Sequence, residues 1–122
     1  MLASSDIITI HAPLTSGTKG LIDAEAIDNM KDGAVLINTS RGPIVDTKSV
    51  AVALEAGKLS GAGLDVFDEE PPDAALLSSL ETLVATPHAA FYSDEAITES
   101  QTKAATSIVT VLGGGEPDYR VV

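Results

Sequence analysis

The sequence predicts an α/β fold: a parallel sheet of about four strands joined by crossover helices and followed by a long C-terminal helix. Three observations carry this reading. Short aliphatic or β-branched runs alternate with stretches of helical spacing. Two of the runs, Ile7-Ile8-Thr9-Ile10 and Ala34-Val35-Leu36-Ile37, are apolar at nearly every position, as parallel strands covered on both faces are. The order strand, helix, strand, helix, strand, short segment, strand, helix is that of strands linked by crossovers rather than hairpins.

Each element has its own local signal. Ile7–Ile10 is the first strand. Asp23 is placed to cap a helix that runs to Met30 and stops near Gly33. Ala34–Ile37 is the second strand, closed by the polar turn Asn38-Thr39-Ser40-Arg41-Gly42-Pro43. Asp46 can cap the next helix, in which Val50, Ala53 and Leu54 share a face and which Gly57 ends. Gly63-Leu64-Asp65-Val66-Phe67 reads as a third strand interrupted by an acid, and Leu83-Val84-Ala85 as a fourth that runs into Thr86-Pro87-His88. From Ser93 a long helix opens with Asp94 and Glu95 against its N-terminal dipole. It carries an apolar stripe of Ile97, Ala104, Ile108, Val111 and Leu112 and ends at Gly113-Gly114-Gly115.

Composition removes several functional classes. At 122 residues the chain suffices for one compact domain and is short for two. It has no cysteine, hence no disulfide framework, thiolate metal site or cysteine nucleophile. Eighteen acidic residues against seven basic ones give a net charge of −11, the wrong sign for gripping a phosphate backbone. With 44% hydrophobic residues the chain is also unlike a disordered acidic tail. No apolar run reaches membrane-spanning length, and the opening residues lack a signal peptide's basic start and apolar stretch. The expectation is a soluble cytoplasmic domain that binds neither nucleic acid nor membrane.

In an open α/β sheet, ligands bind beyond the carboxyl ends of the strands. Arg41 follows the second strand, Asp65 and Glu70 lie at or after the third, and His88 follows the fourth. Taken singly, each has a bland reading. An arginine in a Gly/Pro turn is more often solvated than functional, Glu70 stands in a run of acids that reads as a wet loop, and His88 could merely close a strand. Asp65 resists that treatment, because an acid within an apolar strand is costly unless it is paired or placed at a site. His11 reads as structural or cofactor-lining rather than catalytic. The two histidines are far apart with no acids clustered about them, so no metal site is expected.

Together the four have a specific chemistry. A guanidinium clamps a carboxylate with two parallel hydrogen bonds. A histidine beside a glutamate can donate a proton to a carbonyl or withdraw one from a hydroxyl. Such a set suits 2-oxo and 2-hydroxy acids, with the hydride left to a cofactor. The glycines do not provide a phosphate cradle. Gly61-Ala62-Gly63 has Val66 where a third glycine would stand and enters a strand, while Gly113–Gly115 follows a helix.

Several segments in order resemble the D-isomer-specific 2-hydroxyacid dehydrogenases, in the C-terminal half of their nucleotide-binding domain. They are His-Ala-Pro-Leu-Thr (11–15), Asn-Thr-Ser-Arg-Gly (38–42), Gly-Leu-Asp-Val-Phe (63–67) with Glu-Glu-Pro (69–71), and Thr-Pro-His-Ala-Ala (86–90). The arrangement is similar to that of D-3-phosphoglycerate dehydrogenases and hydroxypyruvate or glyoxylate reductases. The resemblance implies half of a doubly wound Rossmann-type sheet, with residues 1–112 a partial NAD-binding domain and 113–122 a tail. It implies a catalytic set of Arg41 for the substrate carboxylate, His88 as proton donor and acceptor, and Glu70 as its acidic partner. It further implies that Asp65 bonds the nicotinamide carboxamide and that Ala12, Pro13, Thr39, Ser40, Arg41, His88, Ala89 and Phe91 lie along the cofactor. That cofactor is NAD, with NADP open.

Two departures carry expectations of their own. The family's Gly-rich loop would lie upstream of Met1, so the 122-residue chain is expected to be a half-domain, inactive alone. If Ile7–Ile10 is the strand that pairs with that missing half, its bare edge should recruit another copy, making a homo-oligomer, or be buried by rearrangement. Phe91-Tyr92-Ser93 resembles the corepressor branch of the same fold. That leaves a nucleotide-sensing interaction module, or an inert half-sheet, as alternatives to an oxidoreductase.

Overall fold

The computed structural model of the chain describes residues 1–120. It divides into two compact units, Met1–Ala90 and Phe91–Val122. The division falls inside residues 1–112, the stretch read from the sequence as one partial domain.

The first unit alternates strands and helices: β1 (Ile7–Ile10), α1 (Ala24–Asp28), β2 (Ala34–Asn38), α2 (Thr47–Glu55), β3 (Leu59–Leu64), α3 (Ala74–Ser78) and β4 (Leu83–Ala85). The strands form one sheet in chain order, β1-β2-β3-β4, and every neighbouring pair is parallel. Ile8, Leu36, Ala62 and Leu83 stand in one row across it, and Thr9, Ile37, Gly63 and Val84 in the next. Each helix begins where an aspartate can cap it. Asp23 accepts from the Ala26 amide, Asp46 from that of Lys48 and Asp73 from that of Ala75, each such cap contributing about 1 kcal/mol. Gly33 and Gly57 take positive φ where the chain leaves α1 and α2.

The expectation that strands are covered on both faces is corrected. Ile8 and Ile10 of β1 are buried with Leu36, Leu59, Ala62 and Leu64 against Ile27 of α1 and Val50, Ala53 and Leu54 of α2. Ile7, one residue away, is 64% exposed and Val84 is 67% exposed. The reason is topological. Right-handed crossovers between strands laid down in steady order put every connecting helix on the same side. Only that face becomes core.

The third strand is also corrected. It runs Leu59–Leu64 rather than 63–67, so Asp65 lies just past its end. Ser60-Gly61-Ala62-Gly63 lacks the β-branched bulk that marks strands, yet it lies in the strand whose Ala62, Gly63 and Leu64 are paired on both sides. The backbone ladder continues one step further, since the Asp65 amide donates to the Asn38 carbonyl at 3.0 Å. Val66 and Phe67 are buried as loop residues, which is why they read as strand.

The second unit is built on α4 (Asp94–Leu112), capped by Ser93 and closed at Gly113, with Gly114 at φ +81. No residue of α4 is buried, and Ile108, Val111 and Leu112 of the expected stripe are exposed. Lys103 pairs with Glu99 and lies 4.8 Å from the centre of the Tyr119 ring. Among the described residues no helix is long and apolar enough to cross a membrane.

Candidate active site

Because all four strands run the same way, the loops that leave their carboxyl ends share one rim of the sheet. The loop after β4 is held from below by Asp65. This carboxylate is 4% exposed. Its Oδ1 accepts from the Thr86 hydroxyl and from the Ala89 amide at 2.8 Å, and its Oδ2 from the Ala90 amide at 2.9 Å. Burial alone would raise its pKa. The Thr86, Ala90 and Ala89 hydrogen bonds, helped by the nearby His88, outweigh that effect and hold it below the ordinary 3.8. An acid that would be costly alone thus has a donor at each of its oxygens.

His88 sits within this latch at φ 56, a left-handed conformation that a side chain with a Cβ rarely takes. Its amide donates to the Asp65 carbonyl at 2.9 Å and the Thr86 carbonyl at 3.1 Å, bonds that offset the strain. The ring's Nδ1 faces Glu70 Oε2 at 3.8 Å, and both side chains are about half exposed. The other oxygen of Glu70 accepts from the Phe67 amide at 3.1 Å, and the Glu70–Pro71 peptide is cis. Under the pair lies a cavity of about 410 Å³ with apolar walls from Phe67, Pro71, Leu77, Ala85 and Pro87.

Arg41 belongs to the loop after β2. That loop is pinned at its far end, where the Ile22 amide donates to Ile44 and the Gly20 amide to Pro43. At its centre Gly42 lies against the Phe67 backbone, so closely that a Cβ would fall 1.7 Å from the Phe67 carbonyl oxygen. At its start the amide of Asn38, 0% exposed, bonds into the loop. Arg41 is exposed and bounds a groove of about 440 Å³ with His11, Ala12, Pro13, Leu14 and Ser40. His11 Nε2 is 2.9 Å from the Thr9 hydroxyl.

Residues 1–90 match the family model described as D-isomer specific 2-hydroxyacid dehydrogenase, NAD binding domain. The chain belongs to this family. A glyoxylate reductase of Thermofilum pendens is 43% identical over 118 residues, covering 96% of this chain and 35% of that protein. An (S)-sulfolactate dehydrogenase of Chromohalobacter salexigens is 50% identical over 91 residues, covering 74% of this chain and 29% of that protein. The crystal structure of a D-isomer specific 2-hydroxyacid dehydrogenase from Lactobacillus delbrueckii ssp. bulgaricus, in its NAD-complexed form, superposes with a TM-score of 0.90 at 33% identity. That match covers 98% of this chain and 41% of the other. The chain spans about a third of the length of the curated relatives it matches.

NAD is the cofactor of this dehydrogenase domain family. The chemistry of the groove suits a flat heterocycle: Ala12 and Pro13 offer an apolar wall, with Ser40 and His11 as polar edges. Of the residues expected at the site, Asp65, Glu70 and His88 come together as one cluster, and Arg41, Ser40, Ala12 and Pro13 share the neighbouring groove. Thr39 is exposed within the Arg41 loop, and Ala89 contributes its amide to Asp65. Phe91 opens the second unit, where its ring is 4.7 Å from that of Tyr92. The sequence reading missed the residues that hold the loops: Asn38, Gly42 and Thr86. Asn38 carried a signal, being the one amide at the end of an apolar strand. Nothing marked Gly42 apart from any other turn glycine.

Proposed function

We propose that the protein to which this chain contributes interconverts a 2-oxo acid and a D-2-hydroxy acid with NAD, with NADP as the other cofactor to test. The observation that carries this is the Glu70–His88 pair, held on the same rim of the sheet as Arg41. Bound nicotinamide supplies or accepts the hydride. The chain's own residues do the rest. Arg41 binds the substrate carboxylate through its fork. Since Nδ1 of His88 faces Glu70, Nε2 is the nitrogen left to give a proton to the carbonyl oxygen or take one from the hydroxyl. Their 3.8 Å separation exceeds a hydrogen bond and is of the kind that tightens when substrate arrives. Asp65 positions His88, and its one acceptor position not used by the loop is offered to the nicotinamide carboxamide. Ala12, Pro13, Thr39, Ser40, Ala89 and Phe91 complete the cofactor-side set. The setting is cytoplasmic and the further partner a second copy of the chain.

Steady-state kinetics with the protein as its gene encodes it test this reading. Arg41→Ala should raise KM for the oxo acid by about 100-fold, the loss of a charge-assisted double hydrogen bond, and weaken nucleotide binding far less. An unaltered KM would overturn the assignment. The exposed Phe91–Tyr92 pair favours the nucleotide-sensing alternative. Absence of turnover on glyoxylate and hydroxypyruvate, with NADH still bound, would decide for it.

A further inference from the structure

The geometry points to Asn38 as the residue that positions Arg41, a role that rests on the dehydrogenase reading and deepens it. Asn38 ends β2 on the buried face of the sheet and its side chain is wholly withdrawn from water. An amide so placed must find partners for both of its ends. It finds them all in the next three residues. Oδ1 accepts from the Ser40 amide at 3.0 Å and from the Ser40 hydroxyl at 2.9 Å, while Nδ2 donates to the Arg41 carbonyl at 3.0 Å. The Arg41 guanidinium in turn donates from Nη1 to the Ser40 carbonyl at 2.7 Å.

One buried amide therefore controls both ends of the arginine. It holds the backbone directly through the Arg41 carbonyl, and the guanidinium through the serine on which that group rests. The main chain of Asn38 adds a third tie, its carbonyl accepting the Asp65 amide at 3.0 Å. The residue that sets Arg41 is thus bonded to the residue that latches the His88 loop. Gly42, having no Cβ, lets the loop seat directly against the Phe67 carbonyl. A flexible cation on an exposed turn would have to be ordered by each incoming substrate. Here that ordering is built in beforehand, which lowers the cost of binding.

The test is a double-mutant cycle in the protein as its gene encodes it, with oxo-acid kinetics and nucleotide affinity both measured. Asn38→Ala should raise KM for the oxo acid about tenfold, the size of one or two lost hydrogen bonds. In an Arg41→Ala background the same substitution should change KM no further, since its effect acts through that guanidinium. Equal effects in both backgrounds, or an unchanged KM in the first, would overturn the proposal and leave Asn38 a packing residue. A second arm needs no activity. The Nε–H resonance of Arg41, read by NMR in the substrate-free protein, should stand apart from solvated arginines and collapse onto them in the near-isosteric Asn38→Asp, which also serves if the alanine variant does not fold. A resonance unmoved by Asn38→Asp refutes the positioning role. Should Arg41→Ala itself leave KM unaltered, it is the dehydrogenase reading that fails, and the NMR arm still decides the role of Asn38.

Discussion

Asp65 shows how a single residue can look like one thing in the sequence and do another in the fold. Its chemical oddity was legible, because an acid flanked by Leu64 and Val66 demands an explanation. What it bonds was not, since Thr86, Ala89 and Ala90 lie on a different strand's loop and no local pattern announces them. Its depressed pKa makes a signed prediction. The stabilisation is complete above the ordinary value of 3.8 and is lost as pH falls through the lower folded value. Asp65→Asn should thus cost about 2 kcal/mol at pH 7, one backbone donor facing an amide instead of an oxygen. Its stability curve should also be flatter than the wild type's below about pH 4. Urea unfolding across pH checks both. His88 offers a second contrast. Its positive φ suits Asn far better than a β-branched residue. His88→Asn should melt close to wild type, whereas His88→Val should lose about 2 kcal/mol, and both should lack turnover.

Among the elements, the ones with strong local grammar were readable and the one without was displaced. β1, β2 and β4 are aliphatic runs, and α2 and α4 begin at capping residues and end at glycines, so their positions follow from near neighbours in the chain. β3 is a strand because β2 and β4 flank it, not because Ser60, Gly61 and Gly63 favour extended backbone. Pairing partners distant in sequence are invisible to a local reading. The loop after β2 makes the same point more sharply. Gly42 is required by the Phe67 carbonyl of another loop, and Gly42→Ala should cost about 3 kcal/mol or more, as over-packing against rigid backbone does. Denaturant titration would show it, and a variant as stable as wild type would mean that the two loops are not locked together.

For the first unit as a whole, one-sided burial is the governing fact. Ile7 and Val84 are exposed on the face opposite the helices, and β1 has a partner on one edge only. Unpaired edges and bare aliphatic faces recruit further chains. Sedimentation velocity on the chain should therefore show reversible association that grows with concentration, and Ile7→Lys should shift it toward the monomer. A concentration-independent monomer would refute this. That the strands run parallel was legible from alternation of element types, whereas the bareness of one side was not. It follows from the handedness of connections, which acts on the assembled sheet rather than on any segment.

The strict succession of strands also acts as a ruler. Neighbouring parallel strands lie about 4.8 Å apart, so the roots of the loops bearing Arg41 and His88, two strands distant, are separated by about 10 Å. A three-carbon acid is shorter than that interval. The gap has to be bridged by reach, from a long side chain on one bank and a ring lifted by its unusual backbone on the other. Lysine at position 41 would carry the same charge across a similar reach but without the fork, so it would meet the far side of the interval as a single point rather than a plane.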